Sequence, residues 1–115
     1  MDRKKWLMMV YREANIFIER NSSTGLTATE VEELMPELNA QLQEVLGSVD
    51  ELEDVVKHSL LKTPPPDLWY GESQWSRVLI AVATTCLMHD VKGVVLKILD
   101  GTLPPTPSEK LLDAI

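Results

Sequence analysis

Apolar residues recur at helical spacing over most of the chain, and turn residues cut the pattern into segments. From about Arg3 to Arg20, Trp6, Val10, Ala14 and Phe17 share one face, and Leu7, Tyr11 and Ile18 widen it. Met8, Met9 and Ile16 lie away from its centre. A helix apolar around so much of its circumference is expected to be central or interfacial. Asp2 is available as its cap, and Asn21-Ser22-Ser23-Thr24-Gly25 ends it with turn residues.

The next start is marked by a capping box. In the pair Thr27 and Glu30, each side chain can satisfy an otherwise unpaired backbone donor. Leu26 and Val31 are placed for a hydrophobic staple across that cap. Val31, Leu34, Met35, Leu38, Leu42, Val45 and Leu46 then share a face. Pro36 removes a backbone donor inside the pattern, which predicts a kink or a break into two short helices. Gly47 ends the segment. Ser48 and Glu51 make a second capping box before a helix over about 49–61, with Val49, Leu52, Val55, Val56, Leu60 and Leu61 on its core face. Thr63-Pro64-Pro65-Pro66 stops that helix and forms a stiff, extended connector.

After Asp67-Leu68-Trp69-Tyr70-Gly71, residues 73–89 read as a helix buried on nearly all sides. Asp90 is expected to cap a further helix over 91–99, closed by Gly101. Branched residues at 78–82 and 93–98 would also suit buried strands. The length and the Ala and Leu content of 73–89 favour helix. Residues 102–107 form a proline-rich arm. A third capping box, Thr106-Pro107 with Glu109, opens a short amphipathic turn carrying Leu111, Leu112 and Ile115. Such a turn is unstable alone, so it either docks on the body or another chain, or frays. There is no internal repeat. The expected architecture is an all-α bundle of about five helices, one domain over 1–101 followed by the arm 102–115.

Composition changes this picture little. A chain of 115 residues with 44% apolar and 25% charged positions can bury a modest core and is not wholly disordered. The single Cys86 excludes an intrachain disulfide, and no Cys/His cluster suggests structural zinc. Residues 1–10 imitate a signal peptide, but Arg12 and Glu13 interrupt the apolar run and no small-residue cleavage site follows. The run from Val78 to Met88, eleven residues, is too short to span a bilayer. A soluble, cytoplasmic protein without membrane contact is expected.

Charge is more informative. Between Arg20 and Lys57 stand nine carboxylates and no Lys or Arg, and this block accounts for the net charge of −7. Nucleic-acid binding needs clustered cations, so it is not expected. Leu26 to Leu46 has helix-turn-helix dimensions, but no cation stands near its second helix. Turned around, the same block could mimic DNA and occupy a basic site on another protein. The bases Arg3, Lys4 and Lys5 oppose the block in sign, which favours contact between helices or between copies.

Candidate chemistry is sparse. Glu30 with Glu33, and Glu51 with Asp54, each share a helix face, and two antiparallel helices could bring the four carboxylates around a hard divalent ion. Thr29-Glu30-Val31-Glu32-Glu33-Leu34 and Asp50-Glu51-Leu52-Glu53-Asp54-Val55 resemble the two motifs of the all-α, MazG-like nucleoside triphosphate pyrophosphohydrolases. That resemblance covers about positions 29–55. It implies magnesium-assisted cleavage between the α and β phosphates, with Glu30, Glu33, Glu51 and Asp54 as metal ligands. Thr29, Glu32 and Pro36 depart from the family pattern. The plainer reading of the block is a solvated face with capping glutamates. His58 and His89 lie near helix ends, where the dipole favours positive charge, and Cys86 belongs to the core. Trp69, Tyr70 and Trp75 either cap the core or form a contact site.

The expectation is therefore a small acidic protein-binding module, adaptor or regulatory, that self-associates without catalysis or cofactor. The residues expected to touch a protein partner or a second copy are Trp6, Phe17, Leu68, Trp69, Tyr70, Leu111 and Leu112. The alternatives are the magnesium-dependent pyrophosphohydrolase and the acidic inhibitor.

Overall fold

A computed structural model describes residues 3–21, 25–52, 54–55 and 72–114, and among them all regular structure is α-helical. The helices are α1 (Arg3–Asn21), α2 (Ala28–Glu33), α3 (Met35–Leu46), α4 (Glu72–Leu99) and α5 (Glu109–Ala114). Positions 52, 54 and 55 are also helical. Val49 precedes a turn at Asp50 and Glu51, so the helix expected from 49 begins later than its capping box suggests. Residues 53 and 56–61 of that helix, the triple-proline connector and Leu68-Trp69-Tyr70 lie outside the described residues.

The core is organised by α4. Its residues Leu79, Ala83, Leu87, Val91 and Val95 are buried in an unbroken row. Both α1 and α3 pack on this helix, and α2 leans on it as well. From α1 come Trp6, Val10, Ala14 and Phe17, the stripe read from the sequence; from α3 come Leu38, Leu42 and Leu46. Two threonines survive inside α4 because their hydroxyls bond the preceding turn. Thr84 Oγ1 donates to the Ile80 carbonyl at 2.6 Å, and Thr85 Oγ1 to Ala81 at 2.9 Å.

Local chemistry explains most boundaries. Thr27 caps α2, its Oγ1 accepting from the Glu30 amide at 3.3 Å. Val31 is fully buried, and Leu26 packs against the same core. The expected break falls at Leu34 (φ −92°, ψ 5°), two residues before Pro36, which takes up an early position in α3. A proline there lacks only an amide that the first turn would leave unpaired. The chain stays nearly helical through the joint, since the Leu34 amide reaches Glu30 O at 2.9 Å and the Leu38 amide reaches Leu34 O at 3.1 Å.

Three expected caps are corrected. Ser48 donates its hydroxyl back to Val45 O at 2.8 Å, closing α3 instead of opening the next helix. Asp90 caps nothing: α4 runs through it without interruption, and its Oδ2 accepts from Trp6 Nε1 at 2.8 Å. The cap of α5 is Ser108, whose Oγ accepts from the Leu111 amide at 3.1 Å, so Thr106 is left outside the helix. The strand alternative for 78–82 and 93–98 is likewise replaced by helix.

Because α4 continues past Met88, the stretch Arg77–Leu99 is long and apolar enough, by length and composition, to cross a bilayer. The shorter run 78–88 understated this. Within the fold, the same helix supplies the row on which α1 and α3 rest. At its end Gly101 adopts φ +83°, where a side chain would be strained, and the amides of Thr102 and Leu103 return to Lys97 O at 2.9 and 3.1 Å. The arm then folds back, and Leu112 of α5 is buried beside α1.

Two substitutions in α4 have opposite expected effects on stability in urea denaturation. Leu87→Ala removes a fully buried side chain from the row and should cost about 2–5 kcal/mol. A Cβ at Gly93 meets nothing within 4 Å, so Gly93→Ala should stabilise by about 0.5–1 kcal/mol through helix propensity.

Candidate functional site

A groove runs between α1 and α3 on the side away from the stripe that meets α4. The two helices are antiparallel: Met8 and Met9 neighbour Val45 and Val49, whereas Glu13 meets Gln41. The floor is polar. Glu13 and Gln41 are both buried, and the Gln41 amide donates to Glu13 Oε2 at 2.8 Å and to the Glu13 carbonyl at 3.1 Å. Both amide protons are thus used, so the carboxylate keeps a partner inside the protein.

Two adjoining cavities open above this floor, of about 480 Å³ at the Met8 end and about 230 Å³ at the Arg20 end. Apolar side chains of Met8, Met9, Ile16, Val45 and Val49 line them. Met8 is 54% exposed, the most open large apolar side chain among the described residues. Arg12 and Arg20 on one wall and Glu44 on the other are exposed. None of the three forms an ion pair among the described residues.

The residues expected at a contact surface are placed differently. Trp6 (4% exposed) and Phe17 (1%) are core residues, because they stand on the stripe that α4 covers. Trp6 in addition spends its indole N–H on Asp90. Leu112 is buried against the body and Leu111 is half-buried. The groove residues Met8, Met9 and Ile16 were visible in the sequence only as apolar positions off the main stripe.

The four carboxylates of the pyrophosphohydrolase resemblance are not gathered. Glu30 and Glu33 line a cavity of about 390 Å³ with Asn21 and Leu34, while Glu51 and Asp54 are exposed on the segment after α3. Among the described residues, no three of His, Cys, Asp or Glu stand together in a way that could hold a metal ion. Glu32 is engaged by Lys92 Nζ across to α4. His58 lies outside the described residues, and His89 is exposed. Cys86 is half-buried; burial first, and then the nearby Asp90 carboxylate, push its thiol above the ordinary range.

A further cavity of about 300 Å³ lies where the arm crosses α1, lined by Met8, Tyr11, Arg12, Asn15, Thr106 and Pro107. Asn15 Nδ2 ties the arm down by donating to the Pro105 carbonyl at 2.7 Å. The Tyr11 hydroxyl is buried without a hydrogen-bond partner among the described residues, and burial raises its pKa.

Comparison with protein-family models, with curated proteins and with solved structures finds no match for this chain.

Two measurements probe these environments. Gln41→Leu leaves a buried acceptor of Glu13 unpaired and should cost about 1–3 kcal/mol, whereas the double change Glu13→Leu with Gln41→Leu should recover much of that loss. Alkylation of Cys86 near neutral pH should be slower than that of an unhindered thiol, since less thiolate is present. Asp90→Asn removes the negative charge but keeps an acceptor for Trp6, so it should speed the reaction.

Proposed function

We propose that this chain is a protein-binding module that pairs with a second copy of itself through the groove between α1 and α3. The observation that supports the reading is the exposed Met8 set beside two guanidinium groups and a carboxylate that form no ion pair among the described residues. The groove carries both members of a complementary pair. A two-fold axis would lay α1 of one copy over α3 of the other, and every contact would then occur twice. Met8 and Met9 would meet Val45 and Val49 of the second copy, and Arg12 and Arg20 would face its Glu44.

Magnitudes divide the labour. Exposed ion pairs contribute roughly 0.2–1 kcal/mol each, so the charges mainly set register and salt dependence. Removing methionine and valine side chains from water supplies the larger part, at roughly 25 cal/mol per Å² of apolar surface. The acidic block on α2, α3 and the following segment, by this reading, keeps the outer faces soluble and the two copies in one orientation.

Light scattering at protein concentrations on the order of tens of micromolar should report a dimer. Met8→Asp should yield a monomer with its helix content intact. Arg12→Glu and Glu44→Arg should each weaken the dimer, and the two together should restore it. A monomeric wild-type chain under these conditions would overturn the reading.

A further inference from the structure

We infer that Thr106 is a phosphorylation site and that Arg12 is the group that receives its phosphate. The cap of α5 is Ser108, so the Thr106 hydroxyl has no structural task, and it makes no hydrogen bond among the described residues. Thr106 is exposed in a non-helical arm. Pro107 follows it, and the backbone bends at Pro105 and Thr106. An exposed Thr-Pro step is the pair of residues that a proline-directed protein kinase selects.

The transfer needs only a nucleoside triphosphate as donor. Thr106 Oγ1 forms the new bond to the γ-phosphorus, and the bond from that phosphorus to the β,γ-bridging oxygen breaks. The hydroxyl proton is released, and the nucleoside diphosphate departs. The product carries about −1.5 to −2 charges and three strong acceptor oxygens.

The structure provides a receiver for that charge. Arg12 lines the same 300 Å³ cavity as Thr106, is exposed, and forms no ion pair among the described residues. A guanidinium suits a phosphate because its N–H groups match two oxygens at once. The arm is already held on both sides of Thr106, by Asn15 on the Pro105 carbonyl and by Leu112 in the core. Little freedom remains to be lost when the phosphate and Arg12 meet. Glu109 and Lys110 follow on α5 with opposite charges, so the arm itself adds no strong bias. The effect of phosphorylation is to fasten the arm to α1.

The test treats the full chain with a proline-directed kinase and ATP, maps phosphate by fragment mass, and follows hydrogen exchange of the 109–114 amides. Phosphate should appear on Thr106 of the folded protein and be absent there in Thr106→Ala. Exchange over 109–114 should slow about fivefold in the phosphorylated wild type and stay unchanged in phosphorylated Arg12→Ala. If an isolated 100–115 peptide accepts phosphate at Thr106 but the folded chain does not, the site is refuted. Equal protection with and without the Arg12 guanidinium would refute the receiver.

Discussion

The fold depends on one buried row, Leu79, Ala83, Leu87, Val91 and Val95, spaced four residues apart along α4. An α-helix advances about 100° per residue, so a row of spacing four drifts by about 40° at each step and by about 160° over its whole length. A straight stripe would face a single neighbour. This row turns nearly halfway round its helix, and so one line of side chains can serve both α1 and α3. Such i±4 rows are also the ridges that fit between the ridges of an adjacent helix. The apolar character of α4 on most sides, which makes its sequence resemble a membrane span, follows from the same task.

Polar contacts then fix how the surrounding helices sit. The Trp6–Asp90 hydrogen bond ties α1 to the middle of α4, and Glu13 with Gln41 ties α1 to α3. Apolar surfaces alone tolerate sliding by a turn. A buried carboxylate does not, since any other register leaves it without a partner. Arg12, one residue before Glu13, lines both the groove and the cavity beneath the arm. A single guanidinium therefore stands between the groove of α1 and α3 and the segment that folds back from the end of α4.

Much of the fold was legible in the sequence where local rules act alone. The Thr27 cap, the joint near Pro36, the stripe of α1 and the turn at Gly101 all follow from residue type and spacing. Errors arose where a distant partner competes with a local one. Asp90 reads as a cap until Trp6, 84 positions away, claims its oxygen. Ser48 and Thr106 stand in capping patterns too, yet Ser48 closes the helix behind it and Ser108 supersedes Thr106. The candidate site was the least legible part. A wide apolar helix announces that two sides are covered, but not which side its own chain covers. Trp6 and Phe17 therefore read as partner contacts although α4 covers them, and the positions off the main stripe, Met8 among them, hold the distinction.

The return of the arm also brings the two ends of the described chain together, with Lys4 Nζ 3.8 Å from Asp113 Oδ1. An exposed pair of this kind adds little binding energy. Its meaning lies in the path of the arm. The last described helix rests beside α1, so fraying of α5 would bare Leu112 and the part of α1 that it covers in one event.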